Sequence, residues 1–213
     1  MSNIEPAASG SHSFSDLTSL PAIHTQCWEN LTAAVIQRDS GWRLPVLATS
    51  DMDGCRQRVV VLRHVDVQHE TIYVHTDLRS AKITSIQSQP QVSWLFYDAA
   101  AMVQLQLSGK AVIHTNDTTA DRFWNSEPES SLRGYLAPHA PGTVCNLPES
   151  NLPASVIGRI PERDELQLGR ANFAVISCKI QSMEWLLLRR EGNLKARFQT
   201  PTSGDTTMEW LAP

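Results

Sequence analysis

The stretch Ile72 to Lys82, IYVHTDLRSAK, begins as a strand and ends as a helix. Ile72, Val74 and Thr76 alternate with Tyr73, His75 and Asp77, the period of a half-buried strand. Asp77 and Ser80 then offer capping oxygens, and the spacing predicts a helix over 79–89 that stops at Pro90. Its first turn would carry Arg79 and Lys82. Cations there oppose the partial positive charge of a helix N-terminus, so an anion is needed to make them welcome. Backbone N–H groups, the Thr76 and Ser80 hydroxyls and two cations would together suit a phosphate. On these residues alone, a solvated basic helix face is the commoner case.

Outward from this stretch the chain is mostly strands. Before it, LPVLATSD, RVVVLRHV and TIYVHT are short, β-branched runs bounded by turn residues such as Asp53-Gly54. After it, VSWLFY and MVQLQLSGKAVIH form a strand pair about residues 98–101. FAVISCKI, SMEWLLLRR, LKARFQ and TMEWLAP make the C-terminal part β again. Helices are fewer. Ile23, Cys27, Leu31 and Val35 mark one face of a helix within residues 17–38. The run NDTTADRFWNSEPESSLRGYL reads as one or two short helices with Asn116 or Asp117 as N-cap. Many strands with few helices between them argue for a mainly β, antiparallel barrel with flanking helices rather than a doubly wound parallel sheet. In RVVVLR, Arg58 and Arg63 close the two ends of an apolar run. On one regular strand their odd separation sends them to opposite faces, so one ligand meets both only if the strand bends or the ligand wraps an edge.

The 213 residues suffice for a single domain with a large core, expected over 16–213 behind a disordered polar tail at 1–15. Five of the twelve prolines fall within 138–169, which marks an irregular insertion or lid. The net charge of −4, without a basic run interleaved with aromatics, argues against nucleic acid as a partner. No apolar run reaches transmembrane length and the N-terminus lacks a signal-peptide pattern, so a cytoplasmic protein is expected. Cys27, Cys55, Cys145 and Cys178 are too scattered for a zinc site or a disulfide framework, which fits free thiols in a reducing compartment.

Familiar catalytic motifs are missing: there is no GxSxG, HExxH, GxxxxGK[ST] or GxGxxG. The histidines show no metal-ligand spacing, and no metal is expected. If the chain is an enzyme, a cofactor carries its chemistry.

At this point RVVVLRHV, IYVHTDLRSAKITSIQSQPQVSWLFY and MVQLQLSGKAV together resemble the core of the pyridoxamine 5'-phosphate oxidase family of FMN-binding split barrels. MEWLLLRREGNLKARFQ and the final MEWLAP are similar to that family's C-terminal signature. The likeness covers roughly residues 56–136 and 171–213. It implies an antiparallel FMN-binding split barrel, a homodimer with FMN at the subunit interface, and a small-molecule substrate. By resemblance, Arg58 and the strand to Arg63 approach the FMN, with Arg63 standing where the family usually has lysine. Thr76 and Lys82 match the phosphate-binding Thr and Lys, and Ser80 matches a family serine. Ala81 stands where the oxidase has arginine, and Arg79 is the candidate replacement. Gln104 matches the glutamine that reaches the flavin ring. Trp185 and Arg197 match residues that the second subunit contributes.

The substrate side departs from the family. Of its Arg, Tyr and Ser that grip a substrate phosphate, only Ser131 persists; Phe123 and Glu127 replace the other two. Asn193-Leu194-Lys195 replaces a substrate-facing Arg-Leu-His, leaving Lys195 as the cation there. The resemblance therefore implies a divergent relative rather than the oxidase itself. The expected function is an FMN-dependent oxidoreductase acting on an unidentified small substrate. The alternative is a non-catalytic FMN-binding carrier, sensor or electron-transfer module.

Overall fold

The structure, a computed structural model, describes residues 19–52, 54–148, 150–201 and 205–213. The expected tail at 1–15 lies outside the described residues. Helix α1 (Leu20–Ile36) starts where Ser19 accepts a hydrogen bond from the Ala22 N–H, with a proline in its first turn. It buries Ile23, Cys27 and Leu31 as expected, but Ala34 rather than Val35 completes the buried stripe. A repeat of four drifts around a helix of 3.6 residues per turn, and one step of three restores it.

Strands β1 (Val46–Asp51), β2 (Gly54–Val59), β3 (Leu62–Asp66) and β4 (Thr71–Asp77) follow. Next come α2 (Ala81–Ser88), β5 (Gln91–Asp98) and β6 (Val103–His114). The chain continues through α3 (Thr118–Ser126), α4 (Glu129–Leu132) and α5 (Arg163–Leu166) to β7 (Phe173–Leu187), β8 (Leu194–Gln199) and β9 (Thr207–Leu211). All pairings are antiparallel, in the order β2-β1-β5-β6-β7-β4-β3, with β8 and β9 continuing from β7.

β2 and β3 stand at opposite ends of that order yet are consecutive in the chain, with only Val60 and Val61 between them. The sheet therefore curls until its ends meet, which makes it a barrel. The Val60 N–H donates to the Pro45 carbonyl and the Leu62 N–H to that of Arg43, pinning the crossing against the approach to β1. RVVVLR is thus two strands rather than one. Arg58 belongs to β2 and Arg63 to β3, so their parity along a single strand has no bearing on what they reach.

FAVISCKI and SMEWLLLRR, expected as separate strands, form the single β7. Its first six residues are all buried, and alternation begins only afterwards. The first half is covered on both faces. Ile176 and Cys178 enter the barrel core, while Phe173 and Val175 enter a second cluster with Phe123, Trp124, Leu132 and Leu166 beneath α3, α4 and α5. Where β6 shifts register at Ser108/Gly109, a Cβ on Gly109 would overlap the Lys179 carbonyl, so the close approach requires glycine.

The Pro-rich stretch contains short helical turns and is tied down. Arg133 donates to the Arg159 carbonyl at 3.0 Å, and the Asn151 amide donates to the His139 carbonyl at 2.7 Å. Val156 and Leu166 are buried beneath it.

Candidate functional site

β4 delivers Thr76 to the inner side of the sheet, and the chain turns over Asp77–Ser80 before α2 begins. Ser80 is the N-cap residue, but its hydroxyl does not cap the helix. It donates to the Asp77 carbonyl at 2.7 Å and lies 3.3 Å from the Thr76 hydroxyl. Lys82 Nζ donates to both hydroxyls, at 2.9 Å to Thr76 and 3.0 Å to Ser80. Burial pushes the Lys82 ammonium below its usual value, and the nearby charge of Arg58 pushes it further. Arg58 reaches over from β2, donating to the Thr49 hydroxyl at 2.8 Å and the Leu47 carbonyl at 3.3 Å. Among the described residues, neither cation has a carboxylate at ion-pair distance. Two half-buried cations, two hydroxyls and a helix start without a side-chain cap make a set that could hold an anion. These residues fit a phosphate group such as that of FMN.

Arg79 does not complete this set. It precedes the N-cap, outside the helix, so the first turn holds Lys82 alone. Its guanidinium grips the Asp77 carboxylate at 2.7 and 3.0 Å and donates to the Ala137 carbonyl at 2.9 Å. Asp77 neutralises the charge, and Arg79 fastens the start of the Pro-rich segment to the turn.

Arg63 faces away from Arg58, toward the second cluster. Its Nη1 lies 3.3 Å from Glu127 Oε2, and His75 Nδ1 lies 3.6 Å from Glu127 Oε1. The His75 side chain is only 4% exposed, between Phe123 and Phe173. Burial, then the charge of Arg63, pushes its pKa down to about 3, so the imidazole is neutral. Arg63, Glu127 and Asp77 all act on the Tyr135 hydroxyl, which burial pushes up. Tyr135 and Asp77 line an open groove of about 590 Å3 that also presents Ser131, Arg133 and Asn151.

Gln104, Lys195 and Arg197 lie on the outer face of the β6–β7–β8 sheet. Gln104 pairs with Leu186 and Leu186 with Lys195, one step along from Glu184 and Arg197. Glu184 bridges the two cations, at 2.9 Å from both Lys195 Nζ and Arg197 Nη2. Trp185 requires a correction. Its side chain is fully buried in the barrel core, so it is not presented to a cofactor in a second copy. Strand alternation puts Glu184 and Leu186 outward instead. Sequence reasoning missed Glu184 and His75 because their importance depends on cross-strand register and on where α3 docks. An apolar groove along α1, about 620 Å3 and lined by His24, Trp28, Thr32, Ile36 and Val67, holds none of the expected residues.

Residues 25–115 match the family model described as pyridoxamine 5'-phosphate oxidase, FMN-binding domain. That span includes Arg58, Arg63, Thr76, Arg79, Ser80, Lys82 and Gln104, and excludes Ser131, Trp185, Lys195 and Arg197. No curated protein matches the sequence. A pyridoxamine 5'-phosphate oxidase-related, FMN-binding protein from Nostoc punctiforme PCC 73102 superposes with a TM-score of 0.66 at 18% identity, covering 93% of this chain and 99% of its own. PhzG from Burkholderia lata 383, solved with tetrahydrophenazine-1-carboxylic acid, gives 0.66 at 19% identity, covering 93% and 95%. At such identities the likeness establishes the split-barrel fold.

Proposed function

We infer that this relative of the pyridoxamine 5'-phosphate oxidase FMN-binding family is an FMN-dependent oxidoreductase acting on a small substrate. The observation that carries the reading is the Arg58–Lys82 pair, two half-buried cations near the start of α2 that have no carboxylate at ion-pair distance among the described residues. The phosphate of FMN, with nearly two negative charges, offsets both, and Thr76 and Ser80 donate to its oxygens. Bound FMN supplies hydride or electron transfer at its ring, while the protein orients the ring and shapes the space beside it. Gln104 is our candidate for the ring edge. Arg197, held in place by Glu184, is our candidate for a contribution across a homodimer interface.

No described helix is long and apolar enough to cross a membrane. All four cysteines are free, two of them exposed, which supports our placing the protein in the reducing cytoplasm.

The test is an FMN titration of the purified protein by flavin fluorescence. Lys82→Glu and Arg58→Glu should each weaken binding by more than roughly tenfold, since each reverses a charge-assisted contact. Unchanged affinity in both variants would overturn the assignment. Tight binding with no reduction by any small-molecule donor would identify a carrier instead of an enzyme.

A further inference from the structure

Glu127 terminates α3, as the residue following Ser126. A carboxylate at a helix C-terminus faces the negative end of the dipole and is disfavoured there. Two arginines from other parts of the chain compensate. Arg63 of β3 takes the side chain at 3.3 Å. Arg163 of α5, within the Pro-rich segment, donates to the Glu127 carbonyl at 3.3 Å and also to the Trp124 carbonyl, holding the end of the helix. The Glu127 side chain is only 13% exposed and that of Arg63 only 24%. Among the described residues Glu127 is the carboxylate within ion-pair distance of Arg63; the Asp77 carboxylate is gripped by Arg79, and the neutral His75 beside Glu127 does not compete as a cation.

We propose that Glu127 is a tethered anion that occupies Arg63, and so sets specificity by closing this end of the substrate site to phosphate and carboxylate groups. The proposal rests on the oxidoreductase reading above and takes the groove lined by Asp77, Ser131 and Tyr135, which begins next to Thr76, as the substrate's place beside the flavin. Like-charge repulsion is only part of the effect. Arg133, which also lines the groove, donates to the Arg159 carbonyl. At the Arg63 end the cation is already paired, and an anionic ligand there must both displace Glu127 and leave its carboxylate, 13% exposed, without that partner. The substrate class is accordingly a small molecule whose end toward Arg63 and Glu127 is neutral and polar. Arg163 is a positioning residue: it donates to the Glu127 and Trp124 carbonyls, its guanidinium lies over the Trp124 ring, and it acts by holding Glu127 against Arg63.

The test uses pyridoxine 5'-phosphate and pyridoxine as probes, a pair differing by the phosphate alone. Equilibrium dialysis of the full-length protein in excess FMN measures both affinities. Wild type should discriminate between them by less than about threefold. Glu127→Gln and Glu127→Ala should favour the phosphate ester by roughly tenfold or more, because a freed guanidinium gains a charge-assisted bond. Arg163→Ala should shift the ratio in the same direction, and should add nothing in the background of Glu127→Ala. FMN affinity, measured on the same samples, should not change in any of these variants. A wild type that already prefers the phosphate ester tenfold, or a ratio unmoved in both Glu127 variants, with or without measurable binding, overturns the proposal. Failure to bind FMN is read separately, and counts against the oxidoreductase reading.

Discussion

His75 shows how a single side chain can tie stability to pH. Its pKa falls from 6.5 to about 3 on folding, chiefly through burial. Between those values the unfolded chain binds the extra proton, so the contribution of His75 is intact above about pH 6.5 and is lost as pH falls. At pH 5 the loss amounts to about 2 kcal/mol. Denaturant unfolding at pH 7.5 and pH 5 should therefore show His75→Leu losing about 2 kcal/mol less than wild type over that interval. An equal loss in both proteins would mean that some other group governs the acid limb. At this scale the cations of the site were legible in the sequence, because charge within an apolar run or at a helix start is conspicuous locally. Their partners were not. Glu127 lies 64 residues from Arg63, and only the docking of α3 brings the two together. Trp185 was expected at the cofactor by resemblance alone, and MEWLLL, apolar at nearly every position, does not reveal its own phase.

Among the elements, the turn between β4 and α2 bears on both the anion site and the Pro-rich segment, with a different residue for each. Arg79 belongs to the segment. Arg79→Ala should speed proteolytic cleavage within residues 138–152, while FMN affinity changes by less than about threefold, because removing a paired charge leaves the Arg58–Lys82 field nearly intact. A large loss of FMN affinity would return Arg79 to the phosphate. Gly109 is the opposite case, a residue whose absent side chain is what matters. Gly109→Ala should destabilise the fold by about 1–3 kcal/mol, since the β6–β7 ladder must spread to admit a methyl group. A melting temperature equal to that of wild type would show that the ladder can yield. Strand existence was readable from alternation in β4, β5 and β6, and elsewhere from short β-branched runs bounded by turn residues. The break in RVVVLR was not, because its three valines are strong strand formers with no glycine or proline to mark the crossing. The continuity of β7 was hidden for the reverse reason. Lys179 and Gln181 interrupt the apolar pattern where the strand changes from two covered faces to one.

For the whole molecule, the outer face of the barrel is the surface that the proposed homodimer would use. Val59, Leu95 and Tyr97 are 62%, 39% and 44% exposed there, on strands joined through β1 and leading through β6 toward Lys195 and Arg197. Leu95→Glu should convert a dimer to a monomer in light scattering while leaving the circular dichroism spectrum unchanged, and should weaken FMN binding if the cofactor spans two copies. A dimer that persists with full affinity would place the interface elsewhere. The overall class, a mainly antiparallel barrel, was legible because it follows from counts and periods. The closure of the barrel was not, because it depends on which strands are neighbours. That closure also joins the two halves of the site. Val60 and Val61 are the whole span between the strand that carries Arg58 and the strand that carries Arg63. One guanidinium serves the anion site and the other is held by Glu127. With so little slack between them, a displacement on either side has to be absorbed in two residues or passed on. On the proposed function, what fills the substrate end and how firmly a phosphate is gripped at the other would therefore be mechanically linked, through a two-residue thread.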